Sequence, residues 1–389
     1  MRILDIREKT VPLSGDISNA VVSFNDHTVS MVAIVSNQVR NNRPVIGFGF
    51  NSIGRYGQSG IIRKRMMPRL LQADPESLLD NAGSFSPESV SQCAMRNEKP
   101  GGHGDRAGAL GAIELATWDL LSKLEDEPAC ETIARHSGRT INDPSAKVYA
   151  AGGYYYDEDS LPRLKEEFDQ YRATGFNAFK MKIGGASLDE DLRRIEAALQ
   201  IAGAGENLAV DANGRFDLPT AIAYGEAMNP YQLRWYEEPG DPLDYQLNQQ
   251  VVEATEGAVA TGENLFSHID TLNLIRFGGM RPGLDVFQMD AGLSYGLTEY
   301  ARMIASLEAA GYDRSQCCPH GGHLINLHIS IGLGLGGCEA YPGVFQPFGG
   351  YPDECRIGDG LVWATDAPGF GLEQKPELTR HLNELSDNL

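Results

Sequence analysis

From residue 148 to residue 342 short apolar runs alternate with longer stretches whose apolar residues recur three and four apart. The runs VYAAGGYYY, FNAFKMKIG, NLAVDANG, LRWYEEPG, AVATGEN, LDVFQMDAG, SQCCPHGG and GGCEAYPG read as strands. The stretches between them read as helices. SLPRLKEEFDQYRATG sets Leu161, Leu164, Phe168 and Tyr171 at helical spacing. SLDEDLRRIEAALQIAG opens on a capping box, Ser187 to Glu190, ahead of a stripe of Leu188, Leu192, Ile195 and Leu199. A regular strand–helix alternation predicts a parallel sheet with crossover helices, and eight units favour a closed barrel. The expected fold class is α/β, a (β/α)7β TIM-like barrel over residues 139–350.

Residues 1–138 have a mixed pattern and are expected to form an N-terminal α+β capping domain. HTVSMVAIVSN and RPVIGFGFNSIG read as β segments separated by the polar QVRNN, and DRAGALGAIELATWDLLSKLE has helical spacing. Residues 351–389 carry turn residues and a polar tail, and are expected to pack back on barrel and cap.

Composition narrows the function classes. A chain of 389 residues that is 42% hydrophobic can bury a large core, and its net charge of −20 argues against nucleic acid and anionic membrane surfaces. An acidic small substrate stays possible, because local cations in a cleft outweigh a screened global field. Cys93, Cys130, Cys317, Cys318, Cys338 and Cys355 show no paired spacing and read as buried thiols in a reducing compartment. The start, MRILDIREKTVPL, has no apolar signal core, and the longest uncharged stretch, Leu324 to Cys338, is shorter than the ~20 residues that span a bilayer. A cytoplasmic location is the expectation.

In a barrel of this kind reactive side chains gather at the C-terminal ends of the strands. Those ends carry Lys180 and Lys182, Asp211 and Asn213, Glu237 and Glu238, Glu263 and Asn264, Asp290, His320 and Glu339. Residues two apart on a strand share a face, so both lysines point the same way, opposite Phe179, Met181 and Ile183. Asp211 to Glu237 and Glu237 to Glu263 are both 26 residues, which places three carboxylates at one height on adjacent strands. Three converging anions need a cation, and oxygen-only ligands favour Mg²⁺. The ion and the neighbouring ammonium would disfavour a charge on Lys182 and free its amine as a base. Asp290 precedes His320 by 30 residues, one βα unit, close enough for a carboxylate–imidazole hydrogen bond. Two further patterns are set aside. GLGLGG (Gly332, Gly334, Gly337) lacks the strand that a dinucleotide fingerprint follows, and HGGHLINLH (His320, His323, His328) has no supporting zinc pattern.

At these positions the sequence resembles the enolase superfamily, in its mandelate racemase-type subgroup. The resemblance rests on KMK, DANGRF, EEP, GEN, Asp290 with GLTE after it, and PHGGH, and it covers nearly the whole chain. It implies Mg²⁺ held by Asp211, Glu237 and Glu263, a base at Lys182 beside Lys180, a His320/Asp290 dyad, and Glu339 at the substrate carboxylate. It also implies abstraction of the proton α to a carboxylate in a small hydroxy acid or diacid. Dehydration is the expected outcome, with racemisation or epimerisation on the same residues as the alternative and a non-catalytic sugar-acid-binding barrel as a remote one. The texture of the chain and CCPHGGHLINLH lead to D-tartrate, converted to oxaloacetate, as the expected substrate. Substrate contacts are expected from Asn213 and, in the cap loops SGDISNA and SIGRYGQSG and beyond, from Asn19, Arg55, Tyr56 and Lys99. Related barrels assemble, so a homo-oligomer is implied.

Overall fold

The computed structural model describes residues 1–14, 17–156 and 160–387. An antiparallel sheet opens the chain, with β1 (Ile3–Pro12), β2 (Thr28–Arg40) and β3 (Arg43–Phe50) in that order. The stretch QVRNN, expected to separate two strands, mostly continues β2. Only Asn41 and Asn42 leave it, at φ 52° and 61°, the left-handed pair that a two-residue hairpin needs. Strand β1 was not expected. Its alternating burial lays Ile3, Ile6 and Glu8 on one face.

Helix Asp105–Glu125 lies across this sheet and is buried from Ala107 to Lys123. The approach is close. A Cβ on Gly49 would stand 2.3 Å from the Ala116 nitrogen, so glycine is what lets strand and helix meet. The same helix faces the barrel on its other side, where a Cβ on Gly111 would meet the Gly292 carbonyl at 2.5 Å.

The barrel is built from β4 (Ser145–Gly152), β5 (Phe179–Lys182), β6 (Leu208–Asp211), β7 (Trp235–Glu237), β8 (Val259–Thr261), β9 (Val286–Phe287) and β10 (Cys338–Ala340). All seven pair in parallel, β4 through β9 in sequence order, with β10 returning to β4. The strand expected at SQCCPHGG is not a regular one. Cys317 bridges Phe287, the Cys318 N–H donates to the Phe287 carbonyl at 2.9 Å, and Pro319 has no N–H to extend the ladder. This segment closes the ring between β9 and β10. Seven helices follow the first seven of these eight segments, from Ser160–Thr174 to Leu324–Leu333.

Side chains alternate across each strand. Lys180, Ala209 and Trp235 stand in register and face inward, where Tyr149, Ala209, Trp235, Ala258, Ala260 and Cys318 form an apolar plug. Beyond the chain's last barrel strand, β11 (Ile357–Gly358) and β12 (Leu361–Trp363) form a hairpin that pairs with the start of β4, Ser145 to Lys147, ahead of the residues that β5 and β10 take. Helix Thr379–Ser386 then reaches the cap, where Arg7 donates to the Leu385 and Asp387 carbonyls and Lys9 pairs with Glu384. All six cysteines are free, and among the described residues no helix is long and apolar enough to cross a membrane.

Candidate active site

Lys180 and Lys182 both point into the barrel, and Phe179 turns outward to stack on Phe168 at 5.1 Å. Lys180 Nζ lies 2.6 Å from Glu237 Oε1, 2.7 Å from Glu339 Oε1 and 3.6 Å from Asp211 Oδ2. Burial disfavours its charge, but Glu237 and Glu339 outweigh burial and hold the ammonium well above the usual lysine range. Lys182 Nζ donates to Asp211 Oδ2 at 2.5 Å. Buried as it is, Asp211 stays below the usual carboxylate range because both lysines face it. Glu237 goes the other way, raised by burial and then by Asp211, while Trp235 Nε1 and Gln288 Nε2 donate to its Oε2 at 2.9 and 2.7 Å.

The expectation of three carboxylates at one height holds for two. Asp211 pairs with Glu237 in register, but the partner of Glu237 on β8 is Ala260. Glu263 comes three residues later, after Gly262 has turned the chain at φ 130°, and equal sequence spacing hid the stagger between strands. Among the described residues no three His, Cys, Asp or Glu side chains form a ready-made cation cage. Lys180 and Lys182 already take oxygens of Glu237 and Asp211.

Asp290 Oδ2 lies 3.2 Å from His320 Nδ1, and the Gly292 N–H donates to Oδ1 at 2.8 Å. His320 Nε2 faces Tyr341 Oη at 3.1 Å and Glu263 Oε2 at 3.7 Å. Burial works against the imidazolium, yet the Glu263 carboxylate and the Asp290 hydrogen bond lift the imidazole to about 9. Asp290 is pushed up by burial and brought below its usual range by the two histidines beside it and by Ser52. Glu339 Oε2 accepts from the Gly321 N–H at 3.0 Å, so the strand-eight acid also fixes the loop that carries His320.

Lys182, Asn213, Glu238, Glu263, Asn264 and His320 open onto one cavity of about 240 Å³. Asp211, Glu237, Lys180 and Glu339 are buried and do not line it. Asn213 sits at φ 48° with its backbone N–H on Asp211 Oδ1 at 2.8 Å and a buried, unpartnered Oδ1. Glu238, raised by burial and then by Glu263, accepts from Asn264 Nδ2 at 2.7 Å.

The cap supplies the cavity's roof through Asn19, His27 and Arg55. Asn19 Oδ1 is engaged by the Val21 and Val22 N–H groups, and Gly15 and Asp16 of the same loop lie outside the described residues. Two expected contacts are elsewhere. Tyr56 is 54% exposed and packs on the His27 ring at 4.4 Å, so it supports the roof from outside. Lys99 lines a separate cleft with His103, Arg106 and Tyr295, where its carbonyl accepts from Arg106. His27 and Tyr341 were missed by sequence reasoning. His27 follows the loop thought to matter, and Tyr341 lies two residues past Glu339, on the period of two that was applied to KMK but not here. His323 and His328 are separate buried groups: His323 Nε2 contacts Ser52 Oγ at 2.9 Å, and His328 Nδ1 accepts from the Cys130 N–H at 3.2 Å.

Residues 163–378, more than half of the chain, match the family model described as enolase C-terminal domain-like. The chain belongs to the enolase superfamily. This superfamily member is 25% identical over 374 residues to the L-talarate/galactarate dehydratase of Salmonella typhimurium, covering 95% of this chain and 88% of that protein. It is 30% identical over 323 residues to the L-galactonate dehydratase of Hypocrea jecorina, 69% of each chain. A racemase from Streptomyces coelicolor, solved with bound magnesium, superposes with a TM-score of 0.80 at 26% identity over 99% of both chains.

The donor set fits a hard divalent cation. Asp211, Glu237 and Glu263 offer only carboxylate oxygen, and Glu237 is raised by burial and then by neighbouring Asp211, a repulsion that a cation would relieve.

Proposed function

We propose that this enolase-superfamily chain is a Mg²⁺-dependent hydro-lyase acting on a compact hydroxy-diacid, with D-tartrate as substrate and oxaloacetate as product. One observation carries the reading: Lys182 and His320 open onto the same cavity, and the His320 imidazole is held by the buried carboxylate of Asp290. That is the arrangement a base and an acid need to flank one substrate.

Asp211, Glu237 and Glu263 would hold the ion, which when bound supplies a Lewis acid beside the substrate carboxylate. Lys182 takes the proton from the α-carbon. The electron pair of that C–H bond becomes a C=C bond as the C–O bond to the β-hydroxyl breaks. His320 gives its Nε2 proton to the departing oxygen, so one water leaves, and the enol ketonises to the 2-keto acid. Lys180 and Glu339 pair beneath the cavity and brace its floor, and Glu339 holds the Gly321 loop that carries His320. Asn213 offers an amide, and Arg55 with Asn19 would meet the second carboxylate, Arg55 through a fork of N–H donors.

One observation supports the finer choice. A cavity of about 240 Å³ is below the ~300–1,000 Å³ of common small-molecule sites and favours a short acid. Relatives named as dehydratases support the reaction class. The test is to incubate the purified protein with Mg²⁺ and a panel of acid sugars, following 2-keto acid as its semicarbazone and α-proton exchange in D₂O by NMR. Keto acid from D-tartrate is expected. Keto acid from a longer acid alone would replace the substrate, exchange without keto acid would make the chain a racemase, and silence would make it a binding barrel. Arg55→Ala is expected to raise KM for the diacid by about tenfold or more, the scale of a charge-assisted contact; unchanged turnover would remove Arg55 from the site.

A further inference from the structure

Behind Asp290, on the side away from His320, lies a group of fully buried polar side chains from both cap and barrel: Ser52, His323 and Asn326. Ser52 follows β3 of the cap, and His323 caps helix Leu324–Leu333 of the barrel. The Asn326 N–H donates to His323 Nδ1 at 3.3 Å, so that nitrogen is an acceptor and carries no hydrogen. The ring proton of the neutral imidazole is then on Nε2, which faces Ser52 Oγ at 2.9 Å. Ser52 therefore accepts from His323, which leaves its own hydroxyl hydrogen for Asp290, whose Oδ2 stands with Ser52 Oγ against the same face of Gly321. Asp290 Oδ2 in turn accepts from His320 Nδ1 at 3.2 Å.

We propose that Ser52 and His323 are positioning residues that form a hydrogen-bond chain of fixed polarity behind Asp290 and thereby hold His320 in the tautomer and orientation that deliver a proton to the leaving hydroxyl. This rests on the dehydratase reading for its kinetic consequence, though not for the chain itself. Gly292 and His320 donate to the two oxygens of Asp290, and with Ser52 turned the same way the carboxylate stays an anion held in place rather than one free to rotate. Space around it is closed as well, since a Cβ on Gly321 would stand 2.6 Å from both Asp290 Oδ2 and Ser52 Oγ. Asn326 completes the lock by donating its side-chain amide to the His320 carbonyl. Burial keeps His323 neutral, with its imidazole lowered to about 4, as the chain requires.

A purely structural role for His323, capping its helix, makes the opposite prediction for two variants. His323→Asn keeps an oxygen where Nδ1 accepts from Asn326 but cannot reach Ser52. His323→Gln keeps an N–H where Nε2 donates but gives up the cap. The expected result is that Ser52→Ala and His323→Asn lower 2-keto acid formation by about tenfold or more, part of the ~10²–10⁴ that a general acid contributes, at little change in KM. The ratio of α-proton exchange to keto acid rises in both, because Lys182 is untouched, and His323→Gln retains most turnover. Parent-like turnover in His323→Asn, or a greater loss in His323→Gln, overturns the proposal. A readout independent of activity comes from ¹⁵N NMR of histidine-labelled parent protein. His323 is expected as the neutral Nε2–H tautomer, with the His320 resonances moved by Ser52→Ala; an Nδ1–H tautomer or an imidazolium at His323 overturns the chain even if no acid sugar is ever turned over.

Discussion

Two lysines separated by one residue make sense only inside a charged barrel mouth, where each is matched to carboxylates that nothing else neutralises. Lys180 answers Glu237 and Glu339, and Lys182 answers Asp211. The arrangement leaves Glu263 as a partly open carboxylate at the cavity, and it is this residue whose loss should be read most cleanly in metal affinity. Mg²⁺ at a hundredfold its dissociation constant is expected to stabilise the fold by about 2.7 kcal/mol. In Glu263→Gln that gain should largely vanish while stability without the ion changes little, and thermal denaturation with and without Mg²⁺ checks both. At this scale the sequence was legible where a residue type repeats on the strand period, as in KMK, or sits at a strand end. It was not legible where a cap residue reaches over a barrel. Nothing in the spacing of His27 separates it from Tyr56 or Lys99, yet only the first lines the cavity. Such contacts depend on how two domains dock, which no local pattern encodes.

At the scale of elements, a long helix that is buried nearly all round joins cap and barrel, and Glu114, one of its two buried carboxylates with Asp119, reaches across to the barrel. Glu114 accepts from Trp118 Nε1 at 2.9 Å and from the Leu297 and Thr298 N–H groups at 2.7 and 3.0 Å. It thus caps helix Leu297–Ala309 from another domain, in a space so tight that a Cβ on Gly296 would meet its carboxylate at 2.3 Å. Burial raises its carboxyl above the usual range, and those donors pull it back. Glu114→Ala strands several buried N–H groups at about 1–3 kcal/mol each, so a loss of at least about 3 kcal/mol in urea denaturation is expected. A smaller loss would mean that water or a neighbour replaces the clamp. Helices were the most legible elements, because a stripe over fifteen residues is a strong signal. Strand β1 was not, since charged Glu8 stands on its buried face and Arg7 and Lys9 of its polar face pair with the C-terminal segment rather than with a neighbour in sequence.

For the whole molecule, the alternation that announced a barrel also explains where its acid sensitivity lies. The seventh unit places helix Leu324–Leu333 between barrel and cap, and every residue of that helix is buried, including His328. Ring closure and domain docking together strip water from two imidazoles that a sequence pattern could only offer as zinc ligands. Burial lowers His323 to about 4 and His328 to about 3, against about 6.5 in the unfolded chain. These are bases with depressed values, so their contribution to stability is complete above about 6.5 and is lost as pH falls, because the unfolded state takes up protons that the folded state refuses. Each adds about 1.4 kcal/mol per pH unit below about 6.5, while the raised carboxyls of Glu237 and Glu238, which take up protons first in the fold, act in the opposite sense. Urea denaturation of the metal-free protein between about pH 6.5 and 5, run on parent and variant side by side, isolates one histidine's share. In His328→Leu the stability at neutral pH drops, since the Cys130 N–H loses its acceptor, but its loss on acidification should be less steep than the parent's by about 1.4 kcal/mol per pH unit. An unchanged slope would place the acid sensitivity in other groups and would mean that His328 is as readily protonated inside the fold as outside it.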